Sequence, residues 1–368
     1  MAVRSGIYIH WPFCRSKCPY CDFFSRVEKD VPQNELVDAY LDDIKYYAEL
    51  ADVKTVGSVF FGGGTPSLLT AKNVERIIDQ IAASWQLEKG AEISLEANPN
   101  TDRPGMFADL RAAGVNRLSL GIQSLRPEGL KFLGRTHSVA EALRAADEVL
   151  RVFDNHSADL IYARPGQQTQ EWAEELEQLC GLGFRHLSLY QLTIEEGTVF
   201  AKKGIAAADE ETAVKLYELS NRILAEKGYP RYEVSNYAQP GYQCRHNKLY
   251  WQGDDYVGIG AGAHGRLHCG GKILASTHRR QLEELSPSER AEELILMGLR
   301  LDEGIDKVHF KECCGKDFSA PTDALIAAGL LEDTPQYVRA TARRFPLLNK
   351  IIEELVCYAP AAVDQQHQ

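Results

Sequence analysis

The sequence has no run approaching the roughly 18 apolar residues that a membrane-spanning helix needs. Its opening residues, MAVRSG running into IYIHWPFC, also lack the apolar stretch of roughly 7 to 15 residues of a secretory leader. Both absences predict a cytoplasmic chain. Positive charge is in short supply too: 41 Lys and Arg stand against 52 Asp and Glu, a net charge of -11 with no basic tail or patch. That balance argues against nucleic acid as a partner. No GxxxxGK[ST] pattern is present, which argues against a P-loop, and neither an internal repeat nor a low-complexity segment interrupts the chain. Nine cysteines is an odd number for a disulfide framework. In a reducing compartment, closely spaced cysteines point to metal binding. Cys180, Cys244, Cys269, Cys313, Cys314 and Cys357 are scattered and read as small hydrophobic residues. Adjacent Cys313 and Cys314 are poorly placed for a relaxed disulfide.

At 368 residues, 44% hydrophobic and 25% charged, the chain is long enough for one large domain and a small one. Six short apolar runs, at 6–10, 56–61, 92–97, 115–120, 158–162 and 185–192, alternate with helical patterns. One helix carries the stripe Val74, Ile77, Ile78, Ile81 and Trp85 after Thr70 as its cap, and another carries Leu36, Val37, Tyr40, Ile44 and Tyr47. This alternation predicts a parallel sheet with crossover helices. Unusual polar residues fall near the C-terminal ends of the strands, the active-site rim of an α/β barrel. Six strands instead of eight predict an open, partial TIM-like (β/α)6 barrel over residues 1–230. An amphipathic helix at about 208–227 ends it. A Gly- and Tyr-rich segment, 231–285, follows, then a small helical domain at 286–368 with Leu294, Met297, Leu325, Ile326, Leu348, Ile351 and Leu355 on its inner faces.

Cys14, Cys18 and Cys21 follow the first strand in a compact loop. A structural zinc site closes with four ligands, whereas a cubane on three thiolates leaves one iron open to a further ligand. Zinc with His10 as fourth ligand, or three unconnected thiols, are the alternatives. Gly62-Gly63-Gly64-Thr65-Pro66 after the second strand offers a backbone that a ligand can approach closely, or simply a turn. Glu96 ends the third strand, where a carboxylate needs partners unless it is solvated. His246-Asn247-Lys248-Leu249-Tyr250-Trp251 joins an imidazole to flat aromatic surfaces. A haem pocket wants that combination, but so does an ordinary buried histidine among aromatics. GIGAGAHG, at 258–265, follows closely.

Taken in order, IHWPFCRSKCPYCDFFS, FFGGGTPS, SLEANP, GVNRLSLGIQS, LGRTHS, DLIYARPGQ, LSLYQLTIEEGT, YEVSNYA, HNKLYW and GIGAGAHG resemble the radical S-adenosylmethionine (SAM) superfamily across nearly the whole chain. Within it they resemble the HemW group of haem chaperones, which is similar to oxygen-independent coproporphyrinogen III oxidase. The resemblance implies a 4Fe-4S cluster on Cys14, Cys18 and Cys21, whose open iron is chelated by SAM. It implies SAM contacts from Tyr8, Tyr20, Gly63, Gly64, Thr65, Glu96, Gln123, Arg135 and Asp159. It implies haem contact at His246, with Tyr250 and Trp251 shaping the pocket, and a winged-helix-like C-terminal region that acts as a packing module.

The chain departs from the oxidase pattern at Phe23, where the oxidase has a fourth cysteine, and this favours the chaperone branch. It departs from the common DLIYGLPGQT at Ala163 and Arg164, a change at the rim that alters what the pocket accepts. The function implied is a haem chaperone that binds haem, the cluster and SAM and delivers haem to acceptor haemoproteins. The second reading is the oxidase itself, and the third a zinc-stabilised α/β scaffold. The chaperone reading requires an electron donor for the cluster and leaves peripheral membrane association open. No catalytic residue is assigned.

Overall fold

The computed structural model describes residues 5–100, 103–319, 322–341 and 347–358. The first four residues of the expected leaderless start and the last ten of the C-terminal domain lie outside them.

All six expected strands form: β1 (Ser5–Trp11), β2 (Thr55–Gly63), β3 (Gln86–Ala97), β4 (Arg117–Gln123), β5 (Asn155–Tyr162) and β6 (His186–Gln191). They pair in parallel, in chain order. Crossovers run through α1 (Gln33–Leu50), α2 (Ala71–Ser84), α3 (Met106–Ala112), α4 (Val139–Val152) and α5 (Thr169–Leu182), with α6 (Glu210–Glu226) after the last strand. Three of these six helices start where a side chain satisfies a free N–H group. Thr70 caps α2, Asp209 caps α6, and Ser138 forms a capping box with Glu141 on α4. The predicted stripe of α2 is the face that packs on the sheet, with Val74, Ile77 and Ile81 fully buried.

The sheet does not close. Its order is β11-β10-β9-β8-β1-β2-β3-β4-β5-β6-β7, with distinct strands at its two edges. The Gly- and Tyr-rich segment, which shows no strand periodicity, supplies both extensions. β7 (Asn236–Ala238) lies antiparallel to β6. β8 (Asp255–Ile259) lies parallel to β1, followed by the antiparallel strands β9 (Gly265–Cys269), β10 (Lys272–His278) and β11 (Gln281–Leu285). Between them α7 (Arg245–Gln252), the HNKLYW helix, crosses the bottom of the barrel.

Strand alternation sorts the two faces. Ile7, Ile9 and Trp11 of β1 join the core beneath the helices. Gly6, Tyr8 and His10 face inward, and the interior they share is polar: Ser94 Oγ donates to Glu92, Ser119 Oγ to Asp159, and Ser157 Oγ bonds His186 Nδ1 at 2.7 Å. Arg117 stands 4.0 Å from Glu92 in the same interior, both of them buried.

The C-terminal region has its own core, built by α8 (Pro287–Gly298), α9 (Lys307–Cys314), α10 (Asp323–Ala327) and α11 (Leu348–Tyr358). They pack on a three-stranded sheet of β12 (Ile305–Asp306), β13 (Leu331–Asp333) and β14 (Tyr337–Ala340), ordered β12-β14-β13. Among the described residues no helix is long and apolar enough to cross a membrane.

Candidate functional site

At the C-terminal ends of the parallel strands a cavity of about 360 Å³ is lined by Cys14, Cys18, Cys21, Tyr20, Gly63, Gly64, Thr65, Glu96, Gln123, Arg135 and Asp159. These residues are scattered over more than a hundred positions, and the parallel sheet brings them to one rim.

The cysteine loop is tied shut behind the thiols. Phe13–Cys14 pairs with Arg26–Val27, and Cys21 N–H donates to Cys18 O at 3.1 Å. The glycine turn locks against its base, with Gly64 N–H donating to Trp11 O at 2.7 Å and Thr65 N–H to Phe13 O at 2.9 Å. A Cβ on Gly64 would stand 2.7 Å from Phe13 O and 3.0 Å from Cys14 Sγ, so only glycine lets the turn come this near the thiol. His10 takes no part in a zinc site: its Nε2 donates to Phe24 O at 2.8 Å and its Nδ1 accepts from Tyr8 Oη at 3.1 Å. Among the described residues no three metal-ligating side chains crowd closely enough to hold a single ion. The three thiols line one cavity, the donor set that a cubane held by three cysteines would use.

Glu96 and Asp159 face each other across the cavity floor. Burial, reinforced by the Asp159 charge, pushes the Glu96 carboxyl up to about 8. Asp159 also rises because of burial, against hydrogen bonds that include one from Ser119 Oγ, which lies 3.0 Å from both carboxylate oxygens. Near neutral pH a carboxyl held like this can donate as well as accept, which suits a hydroxyl-bearing ligand. Gln123 has φ of +68°, a conformation costly for a non-glycine residue and found where surrounding structure holds a side chain in place. Arg135 Nη1 donates to Cys18 Sγ at 3.1 Å and Nη2 to Asn98 Oδ1, so a guanidinium faces the thiol.

One expected SAM contact stands apart. Tyr8 does not line the cavity. It lies a layer below, its ring stacked near Phe60 at 6.3 Å and His246 at 6.2 Å. Asn98, which donates to Thr65 Oγ1 at 3.2 Å, was not expected, although it sits two residues after Glu96 at the same strand end. Arg117 and Glu92 were missed as well. A charge within a strand reads as solvated until the sheet curls around it.

The structure does not gather the three haem-motif residues on one surface. His246 points into the barrel floor and is only 7% exposed. Its Nδ1 lies 3.0 Å from Ser58 Oγ and its ring stacks on Phe60 at 5.2 Å. Arg245 N–H and His246 N–H both donate to Glu92 Oε1, so a buried carboxylate caps the positive end of α7. Burial, with nearby Arg117, lowers the His246 imidazole to about 3 and keeps it neutral. Tyr250 lies one turn on, against Tyr256 at 5.4 Å. Trp251 projects about 140° round the helix from His246 and meets the Arg300 guanidinium at 5.8 Å. The shared haem pocket expected of His246, Tyr250 and Trp251 is therefore not assembled in this arrangement. In the folded chain the imidazole serves the barrel floor, and the two rings serve the C-terminal interface.

That interface grips the end of α7. Gly253 O accepts from Arg290 Nη2 and from Cys313 Sγ, the latter at 3.5 Å. His309 Nε2 pairs with Asp254 at 3.1 Å, and Glu303 accepts from Gln252 Nε2 at 2.7 Å and from Lys248 Nζ at 3.3 Å.

Comparison with known proteins agrees with this arrangement. The profile of the Radical SAM superfamily matches residues 8–179, and that of the HemN C-terminal domain matches 285–346. "Heme chaperone HemW" of Escherichia coli (strain K12) is 38% identical over 95% of this chain and 97% of its own length. "Radical S-adenosyl methionine domain-containing protein 1, mitochondrial" of Bos taurus is 37% identical over 84% of this chain and 76% of its own. Among solved structures, coproporphyrinogen III oxidase (HemN) from Escherichia coli, described as a radical SAM enzyme, superposes with a TM-score of 0.79 at 19% identity. It covers 97% of this chain and 91% of its own, a likeness of fold.

Proposed function

The chain belongs to the HemW-type group of the radical SAM superfamily, and from that premise we propose that it is a haem chaperone, binding haem, a 4Fe-4S cluster and SAM and passing haem to acceptor haemoproteins. The observation that carries this reading over the oxidase is Phe23. It stands two residues beyond Cys21, lines the cavity and is 60% exposed. The wall therefore presents an aromatic ring where the oxidase pattern has a fourth thiol.

Cys14, Cys18 and Cys21 would hold the cluster by three thiolates. When bound, such a cluster supplies a single electron at an iron left open for SAM. The remaining work falls to the chain. Gly63, Gly64 and Thr65 offer backbone groups to the amino end of SAM, Glu96 and Asp159 grip its hydroxyls, and Gln123 and Tyr20 border it. Arg135 places positive charge beside Cys18. The partners required are haem, an acceptor haemoprotein and an electron donor, met in the cytoplasm. An acceptor in the membrane would bring the chain to the membrane surface. The HNKLYW motif carries the haem assignment, and His246 reaches haem only if α7 withdraws from the barrel floor.

The test is a haem titration of cluster-loaded protein, wild type beside His246→Ala, run with product analysis on coproporphyrinogen III, SAM and a reductant. Haem binding without protoporphyrinogen IX supports the chaperone. Formation of protoporphyrinogen IX would replace it with the oxidase. Unchanged binding in His246→Ala would remove His246 from the haem site.

A further inference from the structure

GIGAGAHG, the turn between β8 and β9, has no part in the cavity described above. Its glycines show what it is shaped for. A Cβ on Gly258 would stand 2.1 Å from His264 O, and one on Gly260 2.8 Å from His10 O. On Gly262, where φ is +80°, it would stand 2.4 Å from the Phe24 ring. The turn is thus pressed against the end of β1 and the far side of the cysteine loop, with Phe24 lying on bare backbone. This brings His264 to the mouth of the site, close enough to His10 for their charged forms to repel.

His264 is exposed, and among the described residues its imidazole enters none of the side-chain hydrogen bonds or ion pairs. The two other imidazoles at the mouth are committed: His10 uses both nitrogens, and His278 Nδ1 accepts from Gly262 N–H at 3.3 Å. An accepting Nδ1 leaves the ring proton on Nε2, so a neutral His278 has no second lone pair to offer a metal. The cysteine loop that meets this turn through Phe24 is apolar and aromatic on its outside, with Phe23, Phe24 and Val27 exposed by 60%, 58% and 49%. Cations flank it. Lys17 Nζ donates to Phe23 O and Ser25 O and keeps a third N–H, and exposed Arg26 lies over the Phe13 ring at 4.9 Å. A flat apolar macrocycle with an iron that seeks imidazole and two carboxylates that seek cations matches each of these features.

Resting on the haem reading above, we propose that this face is where the folded chain takes haem. The His264 imidazole ligates the iron, Phe23 and Phe24 lie against the macrocycle, and Lys17 and Arg26 face the propionates. Unlike His246, His264 needs no rearrangement of the barrel to reach its ligand, and it sets the haem beside the cluster loop.

The experiment is a titration of full-length, cluster-loaded protein with haemin, followed by the Soret band, using wild type, His264→Ala, His264→Gly and Phe24→Ala. His264→Ala is expected to bind at least 10-fold more weakly and to lose the imidazole-ligated band. Added imidazole should restore that band in His264→Gly. Phe24→Ala should weaken binding several-fold without moving the band. Wild-type binding with His264→Ala unchanged in affinity and band would overturn this site and leave the chaperone reading standing. No binding by wild type would overturn the chaperone reading itself.

Discussion

His246 Nδ1 lies 3.0 Å from Ser58 Oγ inside the barrel, which ties the helix of the HNKLYW motif to the second strand of the sheet. The bond lies beneath Tyr8 and Phe60, in a layer that the cavity above does not reach.

Because His246 is held neutral, with its imidazole lowered from 6.5 to about 3, it stabilises the fold fully above pH 6.5 and loses that contribution as pH falls towards 3. His137 and His156, both lowered to about 4 by burial, act in the same direction. Denaturant unfolding of the ligand-free chain at pH 7, 6 and 5 should show falling stability. His246→Gln should flatten the slope by up to about 1.4 kcal/mol per pH unit. An identical slope in the variant would mean that the ring is already solvated.

Glu96 carries the opposite sign. Its carboxyl is raised from 4.5 to about 8, so its contribution is present below 4.5 and is lost as pH climbs towards 8. Glu96→Gln should therefore raise the melting temperature of the ligand-free chain at pH 8 while weakening SAM binding by about tenfold or more, the worth of one charge-assisted hydrogen bond. Thermal melts and equilibrium dialysis read the two effects separately.

Replacing Cys14, Cys18 or Cys21 singly by Ala should abolish a stable cluster. Wild type reconstituted without oxygen should hold about four iron and four sulfide per chain, the content of one cubane. Stoichiometric zinc in its place would remove the cluster and SAM assignments together.

The pair between His309 and Asp254 holds the C-terminal region to the end of the HNKLYW helix, and Asp254 with Cys313 raises the His309 imidazole to about 11. His309→Ala should cost about 1.5–3 kcal/mol, the range for a hydrogen bond to a charged group. It should also speed proteolytic cleavage between the barrel and that region. Unaltered cleavage would show that the remaining contacts, Arg290 and Glu303 among them, hold the joint without it.

Much of the fold was legible because its signals are local. Six apolar runs and the helices between them report their own burial through spacing, and the cysteine loop and glycine turn declare themselves by residue type. The strands added by the Gly- and Tyr-rich segment were not legible. Asn236–Ala238 is three residues long, and Asp255–Ile259 is buried throughout, so neither shows the alternation that marks a half-exposed strand. Glu92 and Arg117 were hidden for a related reason: a charged pair inside a barrel looks, in one dimension, like two solvated ends.

The sequence by itself determined the superfamily, the loop that carries Cys14, Cys18 and Cys21, and the strands that carry Glu96, Gln123 and Asp159, since each depends on neighbours within a few positions. Only the tertiary structure decided what the two later motifs face. HNKLYW and GIGAGAHG lie within 20 residues of each other, yet one seals the barrel floor and the other meets the cysteine loop at the mouth. A strand placed parallel to β1 runs from floor to mouth, so β8 carries the chain between those levels in five residues. That vertical separation buries His246 and leaves His264 open, and composition and spacing contain no term for it.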